Sequence, residues 1–234
     1  MNDLAGKTAF VTGGASGIGL AMGRAFAEAG MRVMLADIEP KPLQQALEAL
    51  QGNLPEVRGV LCDVRDYDAV ERAAHMTVEA FGKVHVVCNN AGVSGAAGAD
   101  NISLQDWRWV IDINLMGVVH GVKAFVPLLK THGEGGHIVN TASMAGFSAA
   151  PASAPTPRAN LRWWGFPKRW RRSSSRTALA SVFSAPAGLP PASAKAAAIG
   201  PRNMARRRLR DRSQSNLQSS FATGWRRAMS QGWF

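Results

Sequence analysis

Along its first two thirds this chain alternates short apolar runs with longer segments whose apolar residues return at helical spacing, and nothing else in it constrains the fold as tightly. Thr8 to Val11 is an apolar run that stops at Gly13-Gly14. Ile18, Leu20, Ala21, Ala25, Phe26 and Ala29 then recur at helical spacing up to Gly30, which reads as a C-cap. The same reading places further strands at Arg32 to Ala36, Val57 to Cys62, Val84 to Cys88 and His137 to Thr141. Helices are expected at Pro42 to Leu50, Tyr67 to Phe81 and Ser103 to Leu129. Strands that alternate with helices imply a parallel sheet, right-handed crossovers and helices on both faces.

Charge divides the chain at the point where this pattern stops. Residues 1 to 155 hold 11 Lys and Arg against 15 Asp and Glu, a net of −4. Residues 156 to 234 hold 16 Lys and Arg against one acid, Asp211, a net of +15, and also five of the seven tryptophans. The overall charge of +11 therefore says nothing about the first part. We expect a Rossmann-type doubly wound α/β domain over 1–155, truncated after the fifth strand, and an irregular, disordered basic tail over 156–234. Cys62 and Cys88 are too few for a disulfide scaffold, no metal site is expected, and the first residues lack an export signal, so a cytoplasmic location is expected. No stretch of about 18 apolar residues free of charge stands out, so a membrane-spanning helix is not expected.

Ligands of such sheets sit at the carboxyl ends of the strands. After the first strand comes Thr12-Gly-Gly-Ala-Ser-Gly-Ile-Gly19. Gly13 permits a sharp turn, Gly17 lets the backbone approach a pyrophosphate, and Gly19 lets the helix lie close to the sheet. The helix N-terminus then offers N–H groups and positive dipole to phosphate. A bare glycine triad can also be only a tight loop, but the strand before it and the helix after it favour the dinucleotide reading. Asp37 follows the second strand, 18 residues beyond Gly19, where a carboxylate accepts from ribose hydroxyls. It can alternatively cap a helix. A carboxylate there repels a 2′-phosphate, and Gly14, Ala15 and Ile38 supply no cation for one, so NAD is expected over NADP.

With Asp63-Val64 after the third strand, Asn89-Asn90-Ala91-Gly92 after the fourth, Asn114 in the long helix and Ser143 after the fifth, residues 1 to about 155 resemble the short-chain dehydrogenase/reductase (SDR) family. The resemblance implies reversible hydride transfer between NAD(P) and a carbon bearing a hydroxyl or carbonyl group. It implies a cofactor site of Gly13, Ser16, Gly17, Ile18, Gly19 and Asp37, with Asp63 and Val64 bordering the adenine and Asn90, Ala91 and Gly92 lining the cleft. Asn114 would help to hold a proton-relay water, and Ser143 would hydrogen-bond the substrate oxygen.

The family also uses a tyrosine 13 residues after that serine and a lysine four further on, the lysine lowering the phenol's pKa so that it can pass a proton. Here those positions hold Thr156 and Asn160, and the one tyrosine of the chain is Tyr67. An aliphatic hydroxyl is too weak an acid to replace a phenol, and Asn160 carries no charge. The genetic code suggests why the match stops. If one base is lost just before codon 156, the other frame permits tyrosine at Thr156 and lysine at Asn160, and the single codon of tryptophan makes Trp163-Trp164-Gly165 read valine then glycine. Continued, that frame permits an amphipathic helix and later a Pro-Gly at Pro186-Ala187. The actual text, Arg162-Trp-Trp-Gly-Phe-Pro-Lys-Arg-Trp-Arg-Arg172, has no helical face and contains a breaker.

The expected function is therefore an SDR-family oxidoreductase that is inactive in this chain. The alternatives are a dinucleotide-binding protein without catalysis, or a nucleic-acid-binding protein acting through Arg206 to Arg212 with Trp225, Arg226 and Arg227. Expected partners are a dinucleotide and a small alcohol or ketone, with no membrane and only nonspecific nucleic-acid binding. The family's homo-oligomer interface is expected to be lost, leaving the helical face of Val110, Ile113, Val118, Val122 and Phe125 uncovered.

Overall fold

A computed structural model of the chain describes residues 4–50, 52, 56–93 and 102–142. They form β1 (Thr8–Thr12), α1 (Gly17–Glu28), β2 (Arg32–Asp37), α2 (Pro40–Ala49), β3 (Val57–Leu61), α3 (Tyr67–Phe81) and β4 (Val86–Asn89). After these come α4 (Leu104–Ile111), a π-helical stretch (Asp112–Met116), α5 (Gly117–Thr131) and β5 (His137–Asn140). The five strands are all parallel, in the order β3-β2-β1-β4-β5. The order reverses direction at β1, so the crevice between the β1 and β4 ends is the topological switch point.

Every residue of β1 and of β4 is buried, because helices cover both faces of the sheet. Alternate residues feed two cores. Phe10, Met34 and Val87 point to the side where Val70, Ala73 and Phe81 of α3 and Phe125 and Leu129 of α5 lie. Ala9, Val11, Val33 and Leu35 point to the other side, against Met22 and Phe26 of α1 and Leu43 and Ala46 of α2. The rings of Phe10 and Phe125 lie 4.4 Å apart, tying the central strand to α5. Truncating such a fully buried ring to alanine costs about 3–5 kcal/mol.

Several expectations need correction. The third strand ends at Leu61 rather than Cys62, the fourth begins at Val86 rather than Val84, and the second helix starts at Pro40. Two prolines are tolerated in that first turn because its N–H groups have no intrahelical partner. The expected helix from Ser103 to Leu129 is interrupted by the π-helical stretch, in which Asn114 is buried. Its span, Leu104–Thr131, is long and apolar enough to cross a membrane by length and composition, although Asp112 and Lys123 lie within it. In this fold α5 packs on α3 and β4, while α4 buries Val110 alone of its eight residues. The face expected to stand uncovered is largely inside: Val110, Val118 and Phe125 are buried, and Ile113 and Val122 pack against the core. The exposed apolar residues of this region are instead Leu104, Trp109, Ile111 and Met116.

A polar network closes the end of the sheet opposite the switch point. His85 Nδ1 accepts from the Thr8 backbone N–H (3.1 Å), so its proton sits on Nε2 and is donated to the Glu134 carboxylate (3.0 Å). His132 donates from Nε2 to Val84 O (2.8 Å) and accepts the Glu134 N–H at Nδ1 (3.2 Å). Lys7 and Lys83 complete the cluster on Glu134. Ligand atoms of His85, His132 and Glu134 lie within 4.8 Å of one another, but a metal at His85 Nε2 would have to displace a proton from a ring whose other nitrogen already accepts. The arrangement is a hydrogen-bonded clasp.

Burial holds His85 below its ordinary pKa of 6.5, although the hydrogen bond to Glu134 opposes the shift. Burial holds His137 down to about 4. Contacts with Lys83 and His85 hold the Glu134 carboxyl down to about 2 from its ordinary 4.5. Each of these groups binds fewer protons in the fold than in the unfolded chain at intermediate pH, so the stability they confer is complete above the unfolded pKa and drains as pH falls. The urea midpoint of the full chain is therefore expected to fall steadily from pH 7 to pH 4, beginning at the histidine range. A midpoint flat between pH 7 and pH 5 contradicts the account of the two histidines.

Candidate functional site

The carboxyl ends of the strands bring together the loops that follow β1, β2, β3 and β4. The turn after β1 passes through Gly13 (φ 63°) and Gly17 (φ 53°), both in the left-handed region that side chains disfavour. Gly19 is constrained by contact: a Cβ there would fall 2.0 Å from Gly13 O, so the first turn of α1 closes onto the loop only if this residue is glycine. A Cβ on Gly17 would meet nothing within 4 Å, so the space beside that backbone is open.

Ser16 occupies the N-cap of α1, yet its side chain makes no capping bond, and no acidic residue stands in the first turn. Leu20 N–H to Ser16 O opens the helical ladder, so the N–H groups of Gly17, Ile18 and Gly19 face out of the helix end. An uncapped helix end with positive dipole and open space beside it fits a pyrophosphate, the group a dinucleotide would place there.

Asp37, the last residue of β2, is drawn to this loop. Its Oδ2 accepts the Ala15 N–H (3.0 Å) and its Oδ1 the Glu39 N–H (3.1 Å). The expectation of a ribose-binding carboxylate thus meets a residue that also anchors the glycine loop, with further lone pairs for a ligand. Cys62 N–H bonds Asp37 O (2.9 Å), which sets the β3 end beside it. There Asp63 accepts a two-pronged bond from Arg65 (2.6 and 3.0 Å), and these bonds hold its carboxyl below the usual carboxylate range. Val64, beside it, is buried.

The β4 end is stitched to β1 by Thr12, whose hydroxyl oxygen accepts from Asn90 N–H (2.9 Å) and Ala91 N–H (3.0 Å). Asn90 Nδ2 donates to Thr12 O (3.0 Å), and Asn90 Oδ1 accepts from the Thr141 hydroxyl (3.1 Å). Gly92 continues this loop, with Asn114 beside it. Asn114 Oδ1 accepts Val93 N–H and its Nδ2 donates to Val93 O, each at 2.8 Å. Asn114 thus clamps the loop that leaves β4. Ser143, Thr156 and Asn160 lie outside the described residues. Tyr67 starts α3 and donates to Glu71 (2.7 Å).

The model of the short chain dehydrogenase family matches residues 7–155. The chain belongs to that family. Among SDR relatives it is 41% identical over 150 residues to the 1-deoxy-11-beta-hydroxypentalenate dehydrogenase of Streptomyces arenae, covering 63% of this chain and 53% of that one. It is 29% identical over 202 residues to the C alpha-dehydrogenase of a Sphingobium species, covering 86% of this chain and 66% of the relative. A short chain dehydrogenase/reductase from Burkholderia phymatum solved with NAD superposes with TM-score 0.81 and 31% identity, covering 99% of this chain and 88% of that one. The chain thus spans about half to two thirds of the length of the curated relatives it matches.

Two members of this SDR site escape a reading of the sequence. Thr12 and Thr141 join the ends of three strands, and the one available signal is a hydroxyl residue standing where an apolar strand gives way to a loop. Replacing Thr12 by valine keeps the shape and strips two backbone N–H groups of their acceptor, at a cost of about 1–3 kcal/mol. We expect the urea midpoint of Thr12→Val to drop well below that of Thr12→Ser, which keeps the oxygen. Equal midpoints for the two variants contradict the stitching role.

Proposed function

We propose that this chain is an SDR-family protein that binds NAD in preference to NADP and, as written, does not turn over. The observation that carries the cofactor reading is the contact of the Asp37 carboxylate with the glycine loop at Ala15, which joins the ribose acceptor to the phosphate cradle. A 2′-phosphate brought to that place meets a negative charge. The β1 and β4 loops supply the cleft in which hydride transfer to or from a nicotinamide takes place in a complete family member.

Transfer of hydride leaves a proton to be moved at the substrate oxygen. Thr156 and Asn160 stand where a phenol and an ammonium would be needed. General acid/base help contributes about 10²- to 10⁴-fold in rate, so its loss removes useful turnover with an alcohol or ketone while leaving nucleotide binding in place. The end of the family match at residue 155, one residue before Thr156, supports a change of reading frame there. The match to the Sphingobium relative, over 202 residues, continues past that point and makes the coding sequence the decisive test. Restoring one base near codon 156 should open a frame with a tyrosine, three residues and a lysine. The buried, free Cys62 and Cys88 suit a reducing compartment, and we assign the protein to the cytoplasm.

Titration of the full chain, followed by nicotinamide fluorescence, should show NADH bound more tightly than NADPH. Asp37→Ala should weaken both and narrow the gap between them, since it removes the repulsion and the loop anchor together. Equal affinities in the parent remove Asp37 from the specificity reading. With a panel of alcohols and NAD, the parent and the Thr156→Tyr/Asn160→Lys variant should both leave the nicotinamide absorbance unchanged, whereas the frame-restored protein should reduce NAD. Family-typical turnover by the parent contradicts the proposal.

A further inference from the structure

On the adenine side of the site, α5 comes against the loop that follows β3. A Cβ on Gly117 would lie 2.9 Å from Val64 Cγ2, so the helix reaches this distance only because it presents glycine. One turn further along, His120 Nδ1 lies 2.8 Å from Val64 O. A carbonyl only accepts, so Nδ1 carries the proton and donates it, and it does so whether or not Nε2 is protonated.

The peptide unit that His120 grasps is also held at its other end. Arg65 N–H donates to Asp63 Oδ1 (3.0 Å), so the Val64 C=O and the Arg65 N–H of one peptide plane are both engaged. The orientation of that plane fixes where Val64 and the Asp63 carboxylate stand. Edge-on contact with Tyr67, ring centroids 5.8 Å apart, in turn orients the half-buried imidazole, and Lys123 sits 4.1 Å over the Tyr67 ring from the same helix.

We infer that His120 is a positioning residue for the adenine half of the nucleotide, acting through the Val64 carbonyl and touching no ligand itself. This rests on the dinucleotide reading of the site. The pyrophosphate half, built on the α1 end, shares no hydrogen bond with His120, so the two halves respond separately.

The test measures binding of ADP-ribose and, separately, of inorganic pyrophosphate to the full chain by calorimetry. His120→Leu should weaken ADP-ribose binding about tenfold, because the ligand must then fix a peptide unit that the hydrogen bond no longer holds, and should leave pyrophosphate binding unchanged. His120→Asn, whose amide nitrogen can occupy the place of Nδ1, should restore ADP-ribose binding to within about twofold. Undiminished ADP-ribose binding by His120→Leu, equal loss of both ligands, or no rescue by asparagine each overturns the inference. If the parent chain binds pyrophosphate but not ADP-ribose, the adenine-side assignment is wrong. If it binds neither, the dinucleotide reading fails and takes this inference with it.

Discussion

Gly19 lies so close to the carbonyl oxygen of Gly13 that no side-chain atom fits between them, and the placement of α1 follows from this contact. With the helix end drawn onto the loop, Ala15 reaches Asp37 and the open backbone at Gly17 faces the crevice. The crevice itself exists because the strand order turns back at β1. Any side chain at position 19 would push the helix away and separate the phosphate cradle from the carboxylate meant to accompany it.

How much of this could be read in advance depended on the range of each interaction. The central strands β1 and β4 announced themselves because helices bury both faces, which makes them mostly apolar runs. The glycine loop and Asp37 were legible because their spacing is local and their residue types are demanding. The Thr12 hydroxyl was not, since its partners Asn90 and Ala91 lie 78 and 79 positions away and a threonine at a strand end has many uses. The bonds of Asn114 to Val93, 21 positions away, were not legible either. A period of 3.6 cannot reveal the π-helical stretch in which Asn114 lies.

The helical face that seemed destined for exposure teaches a related lesson. Ile113, Val122 and Phe125 were assigned to a missing neighbour, but they pack into the core that α5 shares with α3 and β4. Apolar periodicity tells which residues share a face. It does not tell which neighbour that face will meet.

Asp37 carries two obligations that no single substitution separates cleanly. Its carboxylate is a splint between Ala15 and Glu39 and, on the proposed reading, a charge presented towards the ligand. A lineage drifting towards a phosphorylated nucleotide could not simply discard the acid at this position, because the loop would slacken in the same step. The route of least loss runs through a neutral isostere such as asparagine, which keeps one acceptor, with a cation introduced nearby afterwards. On the proposed reading of Asp37, cofactor choice at this site is buffered by the architecture of the loop, and its evolution is constrained in the order of its steps.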